Sequence, residues 1–299
     1  MIDLSPTTAA AYADALRRVV TPGAHVLDLG GDFGRSAVLA CRLGAARVYS
    51  LQAPHALATV EAVARANGYA AQIECIEHLD DLGHHVDVVM TSALDDLPLH
   101  GLSLLSEPVV RDQVRHGAVP VPRGERLMTA IVNAPELYRR HSGVWDVDRH
   151  LDFSVARQCT LNAWSLGRVE PSQVLCELRE WGTLDHTMSE TAIAGRVDWT
   201  VAKAGCAHGL VVWSETSLAA GVVLANDPRE GGAPHGDAFF PWLEPVNLEE
   251  GDEVTASIRA DSLGTANVWT WASSVRRAGR EIAAFRQSTF FSSPLTFRS

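Results

Sequence analysis

HVLDLGGDFGRSAVLACRLGAARVYSLQ, residues 25–52, holds an apolar run that stops at glycine, a short turn, an amphipathic segment closed by Gly44, and a second apolar run. This is the outline of a β-α-β unit. Gly30 and Gly34 lack a Cβ, so the chain turns tightly between strand and helix and a ligand can come close to the backbone. The helix that follows offers unpaired N–H groups at its start. The spacing is not the dinucleotide pattern G-x-G-x-x-G, because the middle glycine is displaced and Asp32 stands in the turn. Asp28, at the strand end, either accepts from a cationic group of a ligand or caps its own loop. At the end of the second strand, where nucleotide folds often place an acid for the ribose hydroxyls, this chain has Gln52. An amide still hydrogen-bonds a hydroxyl, but without the gain of a charge.

The flanking sequence continues the alternation. Residues 5–20 read as a helix, with Ser5 as N-cap and Pro6 at the first helical position. A helix over 55–68 ends at Gly68, and AQIECIE (71–77) and HVDVVMTS (85–92) read as further strands. A helix over 103–116 and a strand over 126–134 complete the pattern, which implies a parallel sheet with right-handed crossovers. The character changes near 145–155. Strand-like runs then recur at about 173–180, 195–203, 207–214, 217–224, 237–243, 253–260, 267–274 and 281–290, separated by turn residues such as Asn226-Asp227-Pro228 and Glu250-Gly251-Asp252. The expected fold is therefore a Rossmann-like α/β domain over 1–145, followed by an antiparallel β-barrel-like domain over 150–299.

The 25 Lys and Arg against 36 Asp and Glu give a net charge of −11, and no basic run interrupts the acidic balance. A phosphate backbone wants a basic face, so nucleic acid is not expected as a partner. The five cysteines, at 41, 75, 159, 176 and 206, form no CxxC, which points to neither a zinc site nor a disulfide framework and fits a reducing cytoplasm. The N-terminal residues lack the apolar run of a signal peptide, and no stretch is long enough to span a bilayer. His84, His85 and Asp87 read as a solvated turn, since neighbours on a strand point to opposite faces. His208 reads as a packing residue, and Trp199, Trp213, Trp242, Trp269 and Trp271 as core.

Taken together, these segments resemble the protein arginine methyltransferases, which are class I S-adenosylmethionine-dependent methyltransferases. Residues 25–52 look like their cofactor motif, and DVVMTS (87–92) like the strand before their substrate loop. VWDVDRHLDFS (144–154) is similar to the family's domain join, CAHGLVVWSETSL (206–218) to a barrel strand pair, and residues 224–258 to the stretch around its Thr-His-Trp loop. The resemblance covers nearly all of 1–290. It implies S-adenosylmethionine as cofactor, held by Asp28, Gly30, Gly31, Gly34, Gln52 and Glu77. It also implies a homodimer, with assembly onto a catalytic homologue as a variant. Residues 155–185 match the family's dimerisation arm, so Leu161, Trp164 and Leu166 are expected on an exposed interface.

Several family positions are altered. Asp32 stands for a glycine and Gln52 for an acid. The two glutamates that clamp the guanidinium in the family fall here on Ser92 and about Gly101, and the Thr-His-Trp loop survives as Pro234-His235-Gly236. Only residues 1–24 precede the first strand, so little of the family's covering helix is expected. A guanidinium must be oriented and charge-balanced beside an electrophilic methyl. Losing both carboxylates removes several kcal/mol, judged by the roughly 2.7–4 kcal/mol of one electrostatic contact. Asp95 and Asp96 in the same loop are candidate replacements, with His235 lining the pocket. Two readings follow. One is a methyltransferase acting on a peptide or small-molecule acceptor other than a standard protein arginine. The other is an inactive homologue that serves as structural or regulatory partner of an active enzyme.

Overall fold

Five short apolar runs of the first half align into one parallel sheet. The structure is a computed structural model and describes residues 6–30, 32–92, 107–143, 150, 152–188, 192–225, 237–263 and 266–292; side chains of 262, 263 and 266 are not described. Gly31, Asp95, Asp96, Gly101, Pro234, His235 and Gly236 lie outside the described residues, as does the expected cap Ser5.

The first half runs α1 (Pro6–Val19), β1 (His25–Asp28), α2 (Arg35–Arg42), β2 (Arg47–Leu51), α3 (Pro54–Ala66), β3 (Ile73–Ile76), β4 (Val88–Met90), α4 (Pro108–Arg115) and β5 (Val119–Val121). The order in the sheet is β3-β2-β1-β4-β5, with every pair parallel. Successive strand residues point to opposite faces, which is why the runs are apolar throughout rather than alternating. Val26, Val48, Val88 and Met90 join Leu16 of α1 and Ala37 of α2 in one core cluster. Leu27, Tyr49 and Val89 join Val110 of α4 in another. The chain proceeds outward from β1 to β3 and then crosses to the other side of β1. The carboxyl ends of β1 and β4 therefore flank the point where the strand order reverses, the usual place for a ligand in such sheets.

The rest of the chain runs β6 (Gly124–Val132), α5 (Pro135–Ser142), α6 (Ser154–Leu161), β7 (Ser165–Gly167), β8 (Arg179–Asp185), β9 (Ala192–Thr200), β10 (Gly205–Ala219), β11 (Val222–Ala225), β12 (Asp237–Leu248), β13 (Glu253–Leu263), β14 (Ala266–Arg277) and β15 (Arg280–Ser288). One sheet has the order β7-β12-β10-β6-β8, with β11 added to β10, and the other β15-β14-β13-β9. The ladders of the second sheet are all antiparallel, as are those of β10 with β11 and β12. Trp242, Trp269, Trp271, Phe239 and Phe240 are fully buried, with Phe240 in ring contact with both Trp269 and Trp271. The Rossmann-like sheet followed by antiparallel barrel-like sheets is the fold class expected from the sequence.

Contacts divide the chain into two compact units. The first takes Met1–Arg126, Leu184–Thr191 and Glu215–Ala225; the second takes Leu127–Thr183, Ala192–Ser214 and Asn226–Ser299. Strands β6, β8 and β10 each contribute residues to both units. The stretch 145–155, where the sequence changes character, falls inside the second.

Three local expectations are corrected. The runs at 207–214 and 217–224 are not separate strands. β10 continues through Ala219, and the chain then turns at Gly221 into β11. The run at 173–180 starts late, because Pro171–Gln173 forms a single 3-10 turn and β8 begins at Arg179. Leu161 of the arm is not on an open surface, and Trp164 and Leu166 are only partly exposed. Leu161 is buried in the core with Leu137, Val211 and Phe239, and Trp164 is half-buried against Phe240. Leu166 lies in β7, paired with Ala238 of β12. An apolar residue with a core of its own unit within reach packs there, since this removes it from water without a partner.

Candidate functional site

The carboxyl edge of the parallel sheet collects the polar residues singled out in the sequence. β1 ends at Asp28, β2 runs into Gln52, and β3 runs into Glu77. Asp28 is fully buried. Its Oδ1 accepts from the Gly30 backbone N–H at 3.0 Å, and its Oδ2 accepts from the Ser50 hydroxyl at 2.9 Å. The Gln52 side-chain amide in turn donates to Ser50 Oγ at 2.9 Å. The parallel register places Asp28 beside Ser50, so this relay spans β1 and β2. Burial, with the negative charge of Asp32 next, lifts the Asp28 pKa to about 7 against the pull of its two hydrogen bonds. Glu77 lies one residue past β3 and is exposed.

The turn after β1 is fixed by backbone geometry. Gly30 has φ +81°, and a Cβ there would lie 2.8 Å from the Leu51 carbonyl oxygen. Gly34 has φ +80°, and its missing Cβ leaves room for Val60 of α3. Both glycines are thus required by the fold before any ligand is considered. Phe33 between them sits at φ +56° and is half exposed, a left-handed conformation uncommon for a bulky residue.

Asp32, in the position of the displaced glycine, is buried and caps α2. Its Oδ2 accepts from the backbone N–H and the hydroxyl of Ser36, at 2.9 and 2.5 Å. An internal carboxylate therefore takes the helix start where an anionic ligand group would otherwise be received. Its Oδ1 is buried with no hydrogen-bond partner. Ser92, on the segment leaving β4, directs its hydroxyl and backbone N–H to the Gly30 carbonyl, at 3.3 and 3.4 Å.

Three residues not singled out in the sequence lie in the same unit. Tyr12 of α1 donates to the Thr91 carbonyl at 2.9 Å. Burial first, then the charges of Glu125 and Asp32, hold its phenol well above the ordinary tyrosine range. Glu125, in the first residues of β6, has Oε1 3.5 Å from His186 Nε2, with both side chains buried. Tyr12 belongs to the buried helix positions Tyr12, Ala15 and Leu16, so its spacing signalled only packing. Glu125 and His186 are separated by 61 positions and carried no local signal. Elsewhere, His84 and His85 are exposed, and His208 packs on Tyr138 with ring centroids 5.6 Å apart. Among the described residues no group of three or more His, Cys, Asp or Glu is placed to hold a metal, and no helix is long and apolar enough to cross a membrane.

A parallel sheet with an acid-bearing glycine turn at its reversal point, continued by antiparallel barrel-like sheets, defines the class I methyltransferase architecture of the protein arginine methyltransferases, and the chain has that fold. In sequence it is 28% identical over 263 residues to the arginine N(omega)-methyltransferase of Streptomyces achromogenes subsp. streptozoticus, covering 81% of this chain and 70% of the relative. In structure it is similar to the Trypanosoma brucei PRMT1 enzyme-prozyme heterotetrameric complex with AdoHcy, with a TM-score of 0.79, 18% identity and 93% of each chain covered. It is also similar to Arabidopsis thaliana protein arginine methyltransferase 10, with a TM-score of 0.75, 17% identity and 95% of this chain and 94% of that one covered. No protein-family model matches the chain.

Proposed function

We propose that this chain binds S-adenosylmethionine over the carboxyl ends of β1 and β2 and methylates a nitrogen of a cationic acceptor other than a standard protein arginine. The observation that carries the reading is the buried Asp28–Ser50–Gln52 relay at the point where the strand order reverses. The donor set fits the cofactor. Gln52 and Glu77 offer acceptors for ribose hydroxyls, and the anionic turn of Asp28 and Asp32 suits a net cationic ligand. When bound, the cofactor supplies an electrophilic methyl group. Asp28 holds the turn in place through Gly30 and Ser50, and Gln52 keeps its side chain aligned through Ser50. Asp95, Asp96 and His235 are the loop groups assigned to orient the acceptor. The name of the Streptomyces relative supports an arginine-type nitrogen as the methyl acceptor.

The second reading, an inactive partner of a catalytic homologue, is favoured by Ser92. Its hydroxyl meets the chain's own Gly30 carbonyl, so this position presents no carboxylate to an acceptor. The enzyme-prozyme heterotetramer among the structural relatives gives that reading a precedent in assembly. A homodimer belongs to either reading, though not through a surface formed by Leu161.

Calorimetric titration with S-adenosylhomocysteine tests the proposal. Micromolar binding, lost in Asp28→Ala, is the expected result; no binding at millimolar ligand overturns it. Methyl transfer with the chain alone separates the first reading from the second, in which transfer appears only with the partner.

A further inference from the structure

Asp32 and Glu125 share a feature that the fold does not explain. Each is more than nine-tenths buried, and each keeps one carboxylate oxygen, Oδ1 and Oε2, without a hydrogen-bond partner. The Tyr12 phenol lies where the two segments meet: it donates to the Thr91 carbonyl, Ser92 meets the Gly30 carbonyl two residues before Asp32, and the Thr91 N–H meets the Val121 carbonyl four residues before Glu125. That phenol relieves neither, because its only O–H is committed to the Thr91 carbonyl. The other Asp32 oxygen is used by Ser36, and the other Glu125 oxygen faces His186. His186 faces Glu125 and pairs with neither Asp32 nor Asp28. Among the described residues no Lys or Arg pairs with Asp28, Asp32 or Glu125, and the neighbouring Arg126 pairs with Glu215 instead. Buried carboxylate oxygens without partners are unfavourable, so a ligand that supplies donors and positive charge is strongly favoured there. Phe33, next to Asp32, is half exposed, so the turn meets the surface.

We infer that Asp32 and Glu125 are the seat for the acceptor's cationic group, in place of the clamp that Ser92 and Gly101 do not provide. A guanidinium suits the seat, since its planar fork of five N–H donors can reach two separated acceptors at once. The inference rests on the methyltransferase reading, and deepens it by adding a seat on β6 and the cofactor turn to the loop groups that orient the acceptor.

The experiment measures binding of L-arginine and of L-citrulline, its neutral isostere, to the full chain saturated with S-adenosylhomocysteine. Affinity for S-adenosylhomocysteine is recorded separately for every variant. L-Arginine is expected to bind at least tenfold more tightly than L-citrulline. Glu125→Gln and Asp32→Asn are each expected to remove that preference, Glu125→Gln with S-adenosylhomocysteine affinity changed less than twofold, and Glu125→Asp is expected to keep part of it. Asn at 32 retains an acceptor for Ser36, so the fold is preserved, which a thermal melt verifies. Equal binding of the two amino acids, no arginine binding, or an unchanged preference in both variants overturns the inference. Failure of S-adenosylhomocysteine to bind the unmodified chain overturns the methyltransferase reading instead.

Discussion

Asp28 shows how one residue couples the fold to the chemistry of its site. Its carboxyl titrates at about 7 when folded, against 3.8 in the unfolded reference, because burial and the Asp32 charge disfavour ionisation. The folded-state pKa is raised, so the stability it confers is fully present below 3.8 and declines as pH rises through about 7. Asp28→Asn removes the charge and keeps an acceptor for Gly30. Urea denaturation should show this variant more stable than the parent above pH 7, by up to a few kcal/mol at about 1.36 kcal/mol per pKa unit. The advantage should vanish at low pH; a constant offset across the range would mean that Asp28 does not titrate in this window. Gln52→Glu would restore the charged ribose partner of related folds. It carries a cost: the change removes the donor to Ser50 and brings a third carboxylate to Asp28 and Asp32. The variant should therefore lose stability at neutral pH relative to the parent, and a melt at pH 7 against pH 5 should show the deficit shrinking as acid is added.

At the scale of elements, the turn between β1 and α2 and the segment α6–β7 show what sequence conveys. The β-α-β outline was legible because hydrophobic period and glycine position arise from local geometry. Pro6, Pro54 and Pro108 stand at or near helix starts for the same reason. The role of Asp32 was half legible: an acid just before a helix start suits the unpaired N–H groups there, but its bond to Ser36, four residues on, is not the usual capping spacing, and a cofactor contact would leave the same sequence. Glu125 and His186 were illegible, because nothing in either neighbourhood encodes a pairing across 61 positions. The expectation that Leu161 is exposed fails for a related reason. Composition shows that Leu161 and Trp164 are apolar, but not whether a core of their own unit lies within reach, and it does. Leu161→Ala should therefore behave as a core deletion, destabilising the chain by about 2–5 kcal/mol without altering its mass in solution. Urea denaturation reads the first and light scattering the second; a halved mass with unchanged stability would return Leu161 to an interface.

At the scale of the whole molecule, the units do not follow the chain. The first unit contains its N-terminal 126 residues together with 184–191 and 215–225. The late segments fill its core, since Leu218, Ala219 and Val222 are buried in the same cluster as Tyr12 and Leu16 of α1 and Ala37 of α2. They also supply polar partners: Ala220 accepts from Arg18, Ser217 from the Arg123 backbone, and Glu215 from Arg126, while His186 faces Glu125. A fragment ending at residue 145, where the sequence changes character, keeps the whole parallel sheet but loses all of these. Its exposed core face and orphaned Glu125 both oppose folding, the first by restoring apolar surface to water and the second by leaving a buried charge unpaired. Residues 1–145 alone should therefore give a compact but loosely packed chain, with helical far-UV signal, strong binding of a hydrophobic dye and no cooperative melt. Co-expression with residues 146–299 should restore a cooperative transition by returning β10 and β11. A sharp melt of the 1–145 fragment by itself, matching the full chain, would show that the Rossmann-like half is self-sufficient and that the late strands only decorate it.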